Sequence, residues 1–341
     1  MIVIDGSEGE GGGQVLRSAL ALSILTRTPF KMERIRAGRD QPGLRPQHLT
    51  SVQAAKEVSA ADVTGAEVGS RELTFRPRTV QGGDRSFSVG TAGSATLVLQ
   101  TVLPALLRAR EPSTLTLEGG THNSAAPPFE FLSECFLPVL RKMGAKIEAT
   151  LVRPGFYPKG GGKLIVKIEP ADLGPLELEE RGALISRKAI AHSAGLPPAV
   201  AERELRVCRE RLSLSRDDLV RMDWDEAFGP GNAVNVICKY ANVSVVCTGF
   251  GERQTRPDDV AERAIGPVLR YLETKAAVEE HLCDQLLLPM AMGRGGVFTT
   301  TEPSSHTTTQ IATLKQFLGG EVEVDTTDEK TWTFTMRGAL I

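Results

Sequence analysis

Two apolar stretches of helical spacing carry the same Gln-x-x-x-Pro signature: 97–107, with Gln100 and Pro104, and 278–292, with Gln285 and Pro289. Each leads into a short β-like stretch (114–118 and 297–301), then a second helical stretch (128–143 and 306–318). Two alternating strands follow, 146–150 with 163–168 in one case and 321–324 with 331–336 in the other. The opening of the chain fits the same plan. Val15, Ala19 and Leu22, flanked by Leu16, Leu20 and Ile24, lay an apolar face on a first helix. A strand at 30–35, a second helix at 48–58 and strands at 62–64 and 72–76 come after it. Leading strands at 2–4 and 86–89 complete two of the units. The periodicity predicts an α+β fold of three repeated βαβαββ-like units, each roughly 80 residues, which must stack to cover both sheet faces.

The stretch 176–274 interrupts this plan with signals of its own: strand 183–192, helix 198–212, strands 235–240 and 243–248, and helix 258–272. It reads as an inserted small α/β domain, 176–274, within a large three-repeat domain formed by 1–175 and 275–341. The charge-rich run 202–221 reads as a solvated helix face. Aligning the units puts His48, Pro127-Pro128 and His306 at the starts of their second helices, and Arg17, Gln100 and Gln285 on their first helices. Around a pseudo-threefold axis these positions would line a common region.

Composition changes this picture little. Hydrophobic residues make up 41% and charged residues 24% of the 341-residue chain, which excludes disordered and fibrous classes. No apolar run reaches the roughly 18 residues of a membrane span and the start, MIVIDG, lacks a signal pattern, so a cytoplasmic protein is expected. The five cysteines form no CxxC pair and read as ordinary buried thiols. A net charge of -2 offers nucleic acid no global attraction, so any RNA contact must be local. One basic patch exists, where Arg34, Arg36, Arg39 and Arg45 face a single acid, Asp40.

Two segments carry candidate chemistry. In Gly6-Ser7-Glu8-Gly9-Glu10-Gly11-Gly12-Gly13-Gln14, glycines before a helix start let backbone N–H groups approach an anion. The segment matches neither a Walker A loop nor a dinucleotide fingerprint. Carboxylates in a phosphate-friendly loop make sense with a metal between, so Glu10 is a candidate Mg²⁺ (or Mn²⁺) ligand. His306 stands in the hydroxyl-rich segment 303–310 at a helix start. A lone histidine is usually a surface or satisfied core residue, but a neutral imidazole near pH 7 is a competent nucleophile.

In order along the chain, DGSEGEGGGQVLRSAL, IRAGRDQPGLRPQHL, GTAGSATLVLQTVLPAL, GGTHNSAAPPFEF, GFYPKGGG, HLCDQLLLPMA and SSHTTTQIA resemble the RNA 3′-terminal phosphate cyclase family. The resemblance implies three repeats like the C-terminal domain of a bacterial translation initiation factor, plus a smaller inserted domain. It implies an ATP-dependent enzyme that turns an RNA 3′-terminal phosphate into a 2′,3′-cyclic phosphate through a histidine-AMP intermediate and an RNA 3′-phosphate adenylate, releasing AMP and pyrophosphate. By motif, His306 would be the adenylylated nucleophile and Glu10 the metal ligand. Arg17, Arg36, Arg39 and His48 would bind phosphates of ATP or the RNA end, and Gln100, Pro128, Asp284 and Gln285 would surround the AMP. His281 stands where some members place a tyrosine near adenine, and Gln310 where many carry asparagine. The implied partners are ATP and RNA with a 3′-phosphate end, and a homodimer is compatible with this reading. The alternatives are a non-enzymatic paralogue acting in ribosomal RNA maturation, which is expected to lack the nucleophile, and an enolpyruvyl transferase, whose chemistry needs no histidine nucleophile.

Overall fold

Alternation of buried and exposed side chains along short apolar strands builds four four-stranded sheets in the computed structural model, which describes residues 1–320, 322–338 and 341. The first sheet orders β1 (Ile2–Asp5), β2 (Phe30–Glu33), β4 (Leu73–Arg76) and β3 (Asp62–Thr64). In the second, β5 (Arg85–Ser88), β6 (Ser113–Gly119), β8 (Gly162–Glu169) and β7 (Lys146–Arg153) follow the same order. The third comprises β9 (Leu176–Leu178), β14 (Gly295–Thr300), β16 (Thr331–Arg337) and β15 (Val322–Asp328). In all three the leading strand pairs in parallel with the second, the second antiparallel with the fourth, and the third strand closes the far edge. The expected strand at 321–324 starts at residue 321, outside the described residues; β15 is described from Val322.

Between the strands run α1 (Gly13–Thr26), α2 (Pro46–Ser59), α3 (Ala95–Leu107), α8 (Glu280–Met292) and α9 (Ser305–Leu318). A further helix starts as α4 (Phe129–Phe131), passes through a π turn over Leu132–Phe136 and continues as α5 (Leu137–Lys142). The helix α3 begins where the Ser94 hydroxyl accepts the Leu97 N–H at 3.1 Å, and all its residues except Gln100 are buried. An apolar surface on all sides is the mark of a helix at the centre of a core. The helices pack cyclically: α2 lies on α3, the π turn between α4 and α5 on α8, and α9 on α1. No helix among the described residues is long and apolar enough to cross a membrane.

The fourth sheet, ordered β11 (Leu219–Asp223), β10 (Leu184–Ala194), β12 (Gly231–Tyr240) and β13 (Ser244–Phe250), is covered by α6 (Pro198–Leu212) and α7 (Pro257–Leu272). It owns a separate apolar core that includes Val236, Val245, Val260 and Ile265. All five cysteines are free and buried.

Two sequence expectations need correcting. Leu176–Leu178, assigned above to the insert, pairs in parallel with β14 as the leading strand of the third sheet. Sequence periodicity misses it because the strand is three residues long and the whole excursion separates it from its partner. The charged run 202–221 is not one helix face: α6 stops at Leu212, Ser213 turns left-handed at φ 53°, and the run ends inside β11.

The excursion leaves and re-enters the third sheet at one place. Leu178 pairs with Phe298, while the Val278 N–H donates to the Thr299 carbonyl at 2.9 Å. A single hydroxyl holds both chain crossings: Thr299 Oγ1 donates to the Glu179 carbonyl at 2.7 Å and accepts the Ala277 N–H at 2.9 Å. A second joint lies where the buried Glu130 carboxylate faces His122 Nε2 at 2.8 Å and His192 Nε2, from β10, at 3.1 Å. Burial opposes ionisation there, but the two imidazoles outweigh it and hold the Glu130 carboxyl well below the usual range. Although these three side chains sit close enough to share a cation, the Trp224 indole donates to His192 Nδ1 at 3.1 Å. That bond makes Nδ1 an acceptor and turns Nε2 toward the carboxylate, so the cluster links β10 to the loop and helix start that carry His122 and Glu130.

Replacing Thr299 by valine keeps the shape and leaves the buried Ala277 N–H unpaired. Thr299→Val is expected to lower stability by about 1–3 kcal/mol, measured as a drop in the urea midpoint; an unchanged midpoint would show that the crossings are held otherwise.

Candidate active site

The glycine-rich segment after β1 docks on the last helix. The Glu10 N–H donates to Thr309 Oγ1 at 3.0 Å, and Gly9, at φ 65°, lies so close that a Cβ there would fall within 2.4 Å of the same oxygen. Gly12 and Gly13 carry the chain into α1 beneath charged groups. A Cβ on Gly12 would meet the Glu10 carboxylate at 2.3 Å and Arg39 at 2.7 Å, and one on Gly13 would meet His48 Nε2 at 2.4 Å. Gly12 and Gly13 are therefore needed less for turn conformation than to let these side chains converge on the backbone of the helix start. Glu10 itself accepts the Gln14 N–H at 3.1 Å and pairs with Arg39.

His306 occupies the first turn of α9 and opens onto the cavity. Its Nδ1 is 2.9 Å from Gln14 Oε1, and the same amide donates through Nε2 to Asp284 Oδ2 at 2.7 Å. Burial lowers the His306 pKa, with Glu10 opposing and Arg17, His281 and Arg39 reinforcing, so the ring is neutral at pH 7. Burial raises the Asp284 carboxyl to about 7, partly offset by His281 and Arg17 and increased by Glu279.

Cationic groups collect on the other wall. Arg17, from α1, is brought down to about 10 by burial despite Glu10 and Asp284, and stays charged at pH 7. Arg36, left-handed at φ 55°, is anchored to the carbonyls of Gln41 at 2.6 Å and Gly43 at 3.0 Å. Of the remaining arginines in the basic patch, Arg34 turns away to pair with Asp5. His48, in the first turn of α2, is buried and accepts the Arg45 N–H on Nδ1 at 3.1 Å. Burial together with Arg17, Arg36 and Arg45 pushes its pKa down to about 3. It therefore offers an anion one neutral Nε2–H donor rather than a positive charge.

The third wall explains the Gln-x-x-x-Pro signature. Pro104 and Pro289 have no N–H to return to the carbonyls of Gln100 and Gln285, so each helix has a free backbone acceptor at its glutamine. The two side chains meet, Gln100 Nε2 donating to Gln285 Oε1, and Gln285 Nε2 donates to the His281 carbonyl at 3.0 Å. Pro128 caps α4 next to them, and His281 sits exposed on the first turn of α8.

All eleven residues singled out from the sequence, Glu10, Arg17, Arg36, Arg39, His48, Gln100, Pro128, His281, Asp284, Gln285 and His306, line one cavity of about 720 Å³. Sequence reasoning did not assign Gln14, whose place at the end of the glycine-rich segment was its only signal. It also missed Thr248, Phe250 and Arg263, which bring the inserted module to the cavity wall. A divalent cation would find the Glu10 carboxylate between guanidinium groups, with Asp284 the second carboxylate of the cavity. That donor set fits Mg²⁺, which keeps waters and takes most of its other oxygens from phosphates.

Gly13→Ala is expected to weaken binding of an anion such as inorganic pyrophosphate about tenfold or more, read by calorimetric titration, because the methyl group displaces His48 and Arg17 from the helix start. Binding equal to wild type would mean that these side chains do not face the ligand.

The family model for RNA 3′-terminal phosphate cyclase matches residues 8–324. Proteins named RNA 3′-terminal phosphate cyclase are similar over nearly the whole chain. The one from Pseudomonas fluorescens is 50% identical over 323 residues, 95% of this chain and 94% of its own. That from Koribacter versatilis is 49% identical over 325 residues, 95% and 92% of the two chains, and that from Ralstonia nicotianae 50% identical over 325 residues, 95% and 93%. A solved enolpyruvyl transferase, NikO from Streptomyces tendae, overlays on 97% of this chain but 47% of its own, at 12% identity and a TM-score of 0.36, too low to carry an argument. With the family's pattern running from the glycine-rich segment to the strand after α9, this chain belongs to the RNA 3′-terminal phosphate cyclase family.

Proposed function

We propose that the cavity binds ATP and the 3′-phosphate end of RNA, and that His306 takes up AMP before passing it on. The observation that carries this reading is the pairing of a neutral imidazole that opens onto the cavity with a wall of hydrogen-bond donors of the kind that suits phosphate, Arg17, Arg36, Arg39 and His48. In the first step the His306 Nε2 lone pair forms a bond to the α-phosphorus of ATP. The bond from that phosphorus to the bridging oxygen breaks, and pyrophosphate leaves. In the second, an oxygen of the RNA 3′-phosphate displaces the imidazole and becomes an adenylate. In the third, the neighbouring ribose 2′-OH loses its proton and attacks the 3′-phosphorus, AMP departs, and a 2′,3′-cyclic phosphate remains.

Each wall has a part in this reading. Arginine forks grip phosphate oxygens two at a time, and the helix starts of α1 and α9 add favourable partial charge. Gln100, Pro128, His281, Asp284 and Gln285 form the wall for the AMP. A divalent cation held by Glu10 would neutralise charge on the phosphates.

We also read the three similar sheets as repeats of one unit and 184–272 as the module inserted into the last. The shared strand order and the cyclic packing of α2 on α3, of the α4–α5 helix on α8, and of α9 on α1 support that reading.

Incubation with magnesium and ATP labelled at the α-phosphate should leave acid-labile label on denatured wild-type protein and none on His306→Ala. Equal labelling of both would end the nucleophile assignment. The same variant should not convert an RNA 3′-phosphate end into a phosphatase-resistant one, whereas Arg17→Ala should retain the reaction but slow it about 100-fold or more.

A further inference from the structure

A histidine can attack phosphorus only through a nitrogen with a free lone pair, so the nucleophile needs a defined tautomer as well as neutrality. In a neutral imidazole one nitrogen carries the proton and the other does not, and free histidine has no strong reason to choose the one required here. His306 Nδ1 faces a single partner, Gln14 Oε1, at 2.9 Å. Gln14 could in principle present either end of its amide to that nitrogen. Which end it presents is settled on its far side, where its Nε2 is 2.7 Å from Asp284 Oδ2. Once ionised, the Asp284 carboxylate accepts only, so it takes the NH₂ end of the amide and turns the carbonyl toward His306. A carbonyl in turn accepts only, so the imidazole must place its proton on Nδ1. The lone pair is then on Nε2, for which no protein partner is recorded among the described residues, on the ring edge away from Gln14.

We propose that Asp284 and Gln14 form a relay that fixes His306 as the Nδ1–H tautomer, making Gln14 a positioning residue for the adenylylation step. The inference rests on the reading of His306 as nucleophile. As Nε2 bonds to the α-phosphorus and pyrophosphate leaves, the ring gains positive charge while its proton stays on Nδ1. The Gln14 carbonyl dipole points at that proton and stabilises the charge where it develops. The geometry is held from three elements. Gln14 is on α1, with its backbone N–H tied to Glu10 Oε1 at 3.1 Å; Asp284 is on α8, and His306 on α9. Both partner helices are thus read by one amide. Burial keeps water from substituting for either contact, since Gln14 is 7% exposed. Asp284 Oδ1 remains free of this relay, so a contact from that oxygen to a ribose is compatible with it.

The test uses full-length protein labelled with ¹⁵N-histidine, above pH 8 so that Asp284 is ionised, and reads the His306 ring nitrogens by NMR, assigned from a spectrum of His306→Gln. Wild type should show a protonated Nδ1 and an unprotonated Nε2. Gln14→Met, which keeps the bulk and removes the acceptor, should move the proton to Nε2 and slow label uptake from α-labelled ATP by about 100-fold or more with little change in KM. Asp284→Leu is the second variant, expected to shift the tautomer likewise while Gln14 is intact. Wild-type protein in the Nε2–H form, or Gln14→Met still in the Nδ1–H form, would overturn the proposal. So would a Gln14→Met defect confined to KM, which would make Gln14 a nucleotide contact. The ring spectrum does not depend on labelling, so label uptake by His306→Ala would sink the nucleophile reading without altering the tautomer result.

Discussion

The cavity exists because the first long helix and the last one are packed together. The contact of α1 with α9 closes a cycle of helices, and its polar seam is specific: Ser18 Oγ donates to Gln310 Oε1 at 2.5 Å, the Glu10 N–H to Thr309 Oγ1 at 3.0 Å, and His306 meets Gln14 at 2.9 Å. These groups lie almost the full chain length apart in sequence. Local propensity can form either helix, but only closure brings the glycine-rich segment to the imidazole. Contacts of such separation cost loop entropy that is repaid only when the whole core forms, so the site is as cooperative as the fold.

Once closed, the site is governed by desolvation. Burial moves groups in it in directions that differ by type: Arg17 and His48 shift down, Asp284 shifts up. The outcome at pH 7 is a wall where positive charge is supplied by arginines while His48 and His306 are neutral. That division of labour matters physically, because a protonated His306 could not attack phosphorus, and a protonated His48 would have to bear three guanidinium neighbours. Gln310 bridges the α1–α9 seam by accepting the Ser18 hydroxyl, and it also lines the cavity.

Much of this was legible in the sequence because its signals are local. The Gln-x-x-x-Pro signature, the helix starts at His48, Pro128 and His306, and the glycine-rich segment each report a backbone requirement within a few residues. What could not be read were features that depend on partners far along the chain. The leading strand Leu176–Leu178 is too short to show a period, and its partner Phe298 lies beyond the whole excursion. Gln14 looked like one more polar residue at a helix start, since its role comes from Asp284 and His306, which only folding places on its two sides. Phe250 and Arg263 belong to a module with its own core, so nothing nearby in sequence links them to the cavity.

The neck at Thr299 gives that module an unusual status. Because the chain departs after Leu178 and returns at Ala277 beside the same hydroxyl, the excursion behaves as a closed loop whose two ends meet at one point on a finished sheet, while His192 and Val246 rest on the body of the protein elsewhere. The parent architecture loses no strand pairing by carrying it. A lineage could thus acquire or discard such an appendage in one event, and whatever the appendage brings to the cavity mouth can be tuned by selection while the machinery behind it stays untouched.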